Sequence, residues 1–197
     1  MKKLFPHPAF NWLLLIVGTL FFTMNTNAAD KIIFDFQTVT NPAAWQVVND
    51  DVMGGMSSSS WRLTDGTAVF QGEVSLANNG GFASVRSLPE SHGLAGGDTF
   101  SIRARGDGQR YKFTARMDGS FDRAIYQAVF TTKKDEWEEH RLPLKEFVPS
   151  FRGRVLAGEP PLDPAGVVSV GFLIADKQAG PFRLAIAWIK ITNSAGK

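Results

Sequence analysis

The chain of 197 residues contains no cysteine. Disulfides, thiolate metal sites and lipid attachment through a cysteine are thereby excluded. Histidine is scarce as well, and beyond the N-terminal segment only His92 and His140 remain. No histidine pair has metal-ligand spacing and no Gly-x-Ser-x-Gly elbow is present, so neither an imidazole metal site nor a nucleophile–base set is indicated. Neither sign of charge dominates, with 21 Lys and Arg against 19 Asp and Glu. Without a basic excess nothing points to nucleic acid. Helical periodicity over three turns, internal repeats and low-complexity tracts are also missing, and the only helical geometry expected is a single turn at 143–147.

The N-terminus is ordered by composition. Met1-Lys2-Lys3 is basic, 12–24 is apolar, and Thr26-Asn27-Ala28 is small. That order reads as a secretory signal peptide, residues 1–28, ending before Ala29. The apolar run falls short of the ~20 residues that span a bilayer. Nor is the segment amphipathic and Arg-rich, as a mitochondrial presequence is. The expected location is therefore periplasmic or secreted, with the membrane met only in transit. Loss of Lys2 and Lys3 leaves basic and acidic residues equal in number. Residues 29–197 are expected to form a single domain, since ~170 residues have room for one core.

The rest of the chain reads as β. Segments at 31–36, 45–48, 57–63, 68–76, 82–88, 99–105, 110–117, 124–132, 137–142, 167–175 and 182–192 are rich in β-branched and aromatic residues and separated by turn signals. Phe100, Ile102 and Ala104 alternate with Ser101, Arg103 and Arg105, and Tyr111, Phe113, Ala115 and Met117 alternate with Lys112, Thr114 and Arg116. Period two with one apolar face predicts antiparallel sheets packed on a core, and this many strands predict an all-β, two-sheet sandwich or jelly roll. Its expected core includes Phe100, Ile102, Phe113, Phe172, Ile174, Ile186 and Trp188. Thr64-Asp65-Gly66-Thr67 and Gly106-Asp107-Gly108-Gln109 predict hairpin turns. The stretch 148–166, with four prolines, is expected to be irregular and either functional or packed on a sheet edge.

Two loops differ from ordinary turns. Asn49-Asp50-Asp51-Val52-Met53-Gly54-Gly55-Met56-Ser57 sets two carboxylates and two glycines between tryptophan-bearing segments. Asn78-Asn79-Gly80-Gly81-Phe82-Ala83-Ser84-Val85-Arg86 repeats the Gly-Gly theme. Asn and Asp bond their own backbone, and Gly-Gly permits positive φ or close approach. Ordering two such loops is costly in backbone entropy, which is easier to explain if each supports the other. The two are expected to meet at one end of the sandwich with Arg86 and Arg116 nearby. Asp50 or Asp51 would cap amides of the facing loop, meet an arginine, or hold Ca²⁺ together with carbonyls.

These residues also carry a resemblance. Asp50-Asp51-Val52-Met53-Gly54-Gly55-Met56-Ser57 with Gly80-Gly81-Phe82-Ala83-Ser84 is similar to the complex I intermediate-associated protein 30 (CIA30) family. So are Trp137 with Leu142-Pro143-Leu144, the run Phe147-Val148-Pro149-Ser150-Phe151-Arg152-Gly153-Arg154, Gly171-Phe172-Leu173-Ile174 and Gly180-Pro181-Phe182. The resemblance runs from about residue 34 to 191. It implies a galactose-binding-like β-sandwich and a non-catalytic role in assembly, without a cofactor.

The candidate binding residues are Asp50, Asp51, Met53, Gly54, Gly55, Ser57, Asn79, Gly80, Gly81, Arg86 and Arg116, with no catalytic and no metal residue among them. Arg103, Arg105, Lys112 and Arg116 are expected to share one polar sheet face, forming a basic stripe with Arg86, and Tyr126 to stand out as an aromatic platform. Two functions are carried forward: a module that binds a protein partner during assembly, and a carbohydrate-binding module of galactose-binding-like type.

Overall fold

Among the described residues the period-two pattern folds into thirteen strands. The computed structural model describes residue 1 and residues 30–39, 41–120 and 123–193. The strands are β1 (Lys31–Asp35), β2 (Trp45–Asn49), β3 (Ser58–Thr64), β4 (Thr67–Val74), β5 (Ala83–Ser87), β6 (Thr99–Arg105) and β7 (Arg110–Arg116). They continue with β8 (Ile125–Thr131), β9 (Trp137–Pro143), β10 (Val148–Phe151), β11 (Arg154–Val155), β12 (Ser169–Ile174) and β13 (Gly180–Thr192). Among the described residues, helical geometry is confined to short 3₁₀ turns. The expected leader, 1–28, lies outside the described residues apart from Met1.

Two antiparallel sheets result. One runs β3-β4-β13-β6-β9, with β1 also paired to β13, and the other runs β11-β10-β8-β7-β12-β5-β2. Their inner faces meet in an aromatic core. Phe113 lies 5.1 Å from Phe100 in the opposite sheet and 5.5 Å from Phe172 beside it, ring centroid to centroid. Trp45 stacks on Trp61 at 4.5 Å, joining β2 of one sheet to β3 of the other. Phe100, Ile102, Phe113, Phe172, Ile174 and Ile186 are fully buried, as the alternation required.

Three expectations are corrected. The segment Gly106-Asp107-Gly108-Gln109 is not a hairpin turn: β6 pairs with β13 and β9, whereas β7 pairs with β8 and β12. The chain instead crosses from one sheet to the other there. Asp107 fixes the corner, its carboxylate accepting from the Gln109 and Arg183 amides and the Tyr111 hydroxyl at 3.1, 2.8 and 3.0 Å. A local turn signature identifies the bend but not the strand that each arm will join.

Trp188 is not in the core. The register of β13 against β6 slips between Ile186, opposite Ala104, and Trp188, opposite Arg103. This bulge inserts one residue and turns the following side chains over, so that Ile189 and Ile191 point inward and Trp188 faces out. There the Lys190 ammonium sits 4.6 Å from the Trp188 ring. Finally, 148–166 is only partly irregular. Its first part forms β10 and β11, which extend the seven-stranded sheet beyond β8.

Candidate functional site

The site begins where β2 ends. Asp50–Met53 forms one 3₁₀ turn, closed by Gly54 in the left-handed region at φ 87°. The turn carries Asp50 inward, where it is fully buried. Its carboxylate accepts the Ser57 amide at 2.9 Å and the Ser57 hydroxyl. From the second glycine loop it accepts the Gly81 and Phe82 amides at 2.6 and 3.2 Å. The Ser57 oxygen in turn accepts the Ser75 amide at 2.9 Å. Burial pushes the Asp50 carboxyl up, but the Ser57 hydroxyl and the three amides outweigh it and hold the group below its ordinary value.

The glycines now have a reason. A Cβ on Gly55 would collide with the Asp50 side chain, and one on Gly80 would lie 2.6 Å from its Oδ2. Both loops leave out side chains because a carboxylate lies between them. The loops therefore meet as expected, through Asp50, while Asp51 is exposed. Both Asp50 oxygens are taken by protein donors, which is a capping role and not that of a cation ligand. Among the described residues no acidic or histidine cluster is arranged to hold a metal.

This corner walls one side of a cleft of about 1160 Å³ on the outer face of the seven-stranded sheet. Met53, Asn79, Gly80 and Gly81 line it, together with Val52 and Phe82. Arg86 and Arg116 line it too. Asp50 and Ser57 lie behind the wall and tie it, while Gly54 and Gly55 complete the turn. The floor is a ladder of outward side chains read across the strands. One rung runs Val148, Gln127, Thr114, Gly171, Arg86, Gln46, of which Gly171, buried, and Gln46 lie outside the cleft lining. The next runs Val129, Lys112, Leu173, Ser84, Val48.

Electrostatics distinguish the parts of the floor. Lys112 donates to Asp176 at 2.8 Å, and Arg110 stands 3.8 Å from the same carboxylate. Arg86 and Arg116 flank β12. Burial and then the charge of Arg116 lower the Arg86 guanidinium to about 10. Burial likewise lowers Arg116, against the pull of Asp118, and its Nη1 donates to the Ser120 carbonyl at 3.3 Å.

The expected basic stripe is corrected. Arg103 and Arg105 belong to β6 on the opposite sheet, where Arg105 lies 5.1 Å from the Trp137 ring. Tyr126 is no platform either. It is buried in the core with its hydroxyl donating to the Pro160 carbonyl at 2.8 Å, because Tyr126, Ala128 and Phe130 form the larger apolar set of β8 and take the inner face. Residues absent from the sequence-based site, such as Thr114, Gln127 and Val129, are the outward partners of that alternation. Period two marked them as one face, but only the strand order shows that this face is concave. Neither histidine lines the cleft. His140 packs 4.8 Å from the Phe130 ring and His92 5.5 Å from the Phe34 ring, both held below their ordinary value by burial.

Residues 34–186 match the family described as Complex I intermediate-associated protein 30 (CIA30). The chain belongs to this family. The mouse protein named Complex I intermediate-associated protein 30, mitochondrial, is 26% identical over 182 residues, which cover 82% of this chain and 56% of that protein. The Drosophila melanogaster protein of the same name is 26% identical over 181 residues, 80% of this chain and 61% of that protein. The chain thus spans little more than half the length of the curated relatives it matches. Among solved structures, the family 11 carbohydrate-binding module of a Clostridium thermocellum cellulosomal cellulase aligns with a TM-score of 0.62 at 16% identity, over 84% of this chain and 95% of that one. At that identity the likeness shows the fold, a β-sandwich shared with carbohydrate-binding modules. The relatives also correct the expected periplasmic or secreted location, because the curated members are mitochondrial proteins.

Proposed function

We propose that the chain is a non-catalytic binding module of assembly-factor type, which engages a protein partner in the cleft of its seven-stranded sheet. The relatives' name associates them with complex I intermediates, and an intermediate of such a complex is the partner class proposed here. One observation carries the reading: the cleft gathers exposed aliphatic side chains. Val52, Met53, Val129 and Val155 are 69, 60, 53 and 72% exposed and all line the same cleft. Clustered apolar exposure marks an interaction surface, whereas scattered exposure does not.

Sugar binding is the second reading, supported by the fold of the solved neighbour. The lining favours it less. Its aromatic members are Phe82 and Phe151, without a tryptophan or tyrosine to serve as a hydrogen-bonding platform. A photo-crosslinking amino acid placed at Val129 separates the two. In cells carrying the full chain, adducts with subunits of a respiratory assembly intermediate are expected, and none from the same label at Arg62 on the opposite sheet. The reading is overturned if the label at Val129, and a second one at Val148, yield no protein adduct while the β-1,3-1,4-mixed-linked tetrasaccharide of a solved neighbour shifts the amide resonances of the cleft.

A further inference from the structure

Period two leaves a second face to account for, the outer face of the six-stranded sheet. Phe100, Ile102 and Ala104 of β6 are fully buried in the core, so Ser101, Arg103 and Arg105 face outward. Beside them stand Glu139 and Arg141 with Trp137 on β9, and Trp188 and Lys190 on β13.

Charge on this face does not balance pair by pair. Glu139 is the register partner of Arg103. Its carboxylate is nevertheless met by Lys190 at 3.6 Å, from the far side of β6. The same ammonium holds Asp30 at 3.1 Å. Both acids are thereby answered by one lysine. Among the described residues Arg103 and Arg141 have no carboxylate partner, and both are exposed. They are diagonal neighbours, because Arg141 pairs with Ser101, two residues before Arg103. A diagonal of that kind spans ~7–8 Å, within reach of two long side chains acting on one ligand.

The ground beneath them is polar. Ser101 is fully buried although it faces outward, and its hydroxyl has no hydrogen-bond partner. An unpaired buried hydroxyl is unfavourable, and an oxyanion between the two arginines would supply its missing acceptor. Two planar guanidinium forks are the donors that suit a carboxylate.

Two indoles flank this ground. Trp188 pairs with Arg103 from β13, and Trp137 pairs with Arg105 from β9. Both are half-buried. Lys190 lies 4.6 Å from the first ring and Arg105 5.1 Å from the second. Tryptophan and arginine together are the residues that dominate binding energy between proteins. An anionic bilayer suits the face less well. The Asp30 and Glu139 side chains, 54 and 35% exposed, would be pressed against headgroups of their own sign.

We propose that the outer face of the six-stranded sheet is a second docking surface, which takes an acidic segment of a partner protein. Its carboxylates lie on Arg103 and Arg141 above the Ser101 hydroxyl, and its apolar side chains lie on Trp137 and Trp188. The cleft occupies the opposite side of the sandwich, so the module holds two proteins back to back; only this bridging role rests on the protein-binding reading of the cleft. Binding weakens with salt because surface and ligand carry opposite charge.

A phage library of random dodecapeptides tests this. It is depleted on the Arg103→Gln/Arg141→Gln chain and then selected on the full wild-type chain. Enriched peptides are expected to hold several Asp or Glu beside apolar residues. A fluorescein-labelled copy is expected to bind wild type about tenfold more tightly than its Asn/Gln twin, and to lose about tenfold on raising salt from low to several times physiological strength. Trp137→Leu is expected to weaken it, whereas Val129→Ser/Val148→Ser in the cleft leaves it unchanged. Titrated into wild type, the peptide is expected to shift the amide resonances of Ser101, Arg103 and Arg141 and the indole resonance of Trp137, a readout that does not depend on how the variants fold. Equal binding of the acid peptide and its amide twin overturns the proposal. So do shifts confined to the cleft, which would leave the cleft reading standing. Loss of binding in Val129→Ser/Val148→Ser with no loss in Arg103→Gln/Arg141→Gln overturns it in the same way. Failure to enrich acidic peptides overturns it too, and phosphatidylglycerol vesicles bound by wild type but not by Arg103→Gln/Arg141→Gln would then assign the face to a lipid surface.

Discussion

The Asp50 carboxylate accepts the Gly81 amide at 2.6 Å across 31 residues of chain. This bond and its neighbour to Phe82 make one rigid wall from two glycine loops, and that wall bounds the cleft. The first glycine loop is thus structural at its centre: Asp50 is hidden, while Val52 and Met53, in the same turn, line the cleft.

Removing that carboxylate should be severe. Asp50→Ala orphans the Gly81 and Phe82 amides and the Ser57 donors, at about 1–3 kcal/mol for each buried group left unsatisfied. We expect a loss above about 3 kcal/mol in urea melts, whereas Asp51→Ala should stay within about 0.5 kcal/mol. Equal effects from the two would mean that the corner is not held by Asp50.

Acid should loosen the same corner. A carboxyl held below its ordinary value of 3.8 contributes stability that is complete above that value and is lost as pH falls through its folded-state pKa. Melts of wild type and Asp50→Asn should therefore converge as pH drops below 3.8. His92 and His140, whose burial lowers their pKa, act in a higher window: stability falls as pH drops from 6.5 toward their folded values. That earlier fall should vanish in His92→Gln/His140→Gln.

The glycines report on the carboxylate through a double-mutant cycle. Gly55→Ala should destabilise because its Cβ meets the Asp50 carboxylate and Cβ. In an Asp50→Ala background the carboxylate contact is gone, and the penalty for Gly55→Ala should shrink by ~1 kcal/mol, a coupling in the range expected of touching residues. Additive losses would place the strain elsewhere.

The bulge in β13 makes a paired prediction in the core. Phe113→Ala, at a fully buried site between Phe100 and Phe172, should cost roughly 3–5 kcal/mol. Trp188→Ala, half-buried on the outer face with Lys190 over its ring, should lose clearly less, about 1–2 kcal/mol for a partly desolvated cation–π contact. A large loss at Trp188 would mean that the register does not shift after Ile186.

What the sequence determined by itself was local. Strand character followed from period two, which placed Phe100, Ile102, Phe113 and Phe172 inside without any knowledge of the partners. The need for two Gly-Gly loops to support one another followed from the entropy of glycine and the bonding of short acids. The tertiary structure decided what depends on distant neighbours. Gly106 to Gln109 turns the chain, but whether β6 and β7 then pair or part depends on β13, β9, β8 and β12, which come later in the sequence. One inserted residue in β13 reversed Trp188 and Ile189, because alternation specifies two faces and only the register against β6 says which is buried. The choice of Asp50 over Asp51 was of the same kind: adjacent carboxylates look alike in sequence, and the one that turns inward is the one that Ser57, Gly81 and Phe82 surround with donors.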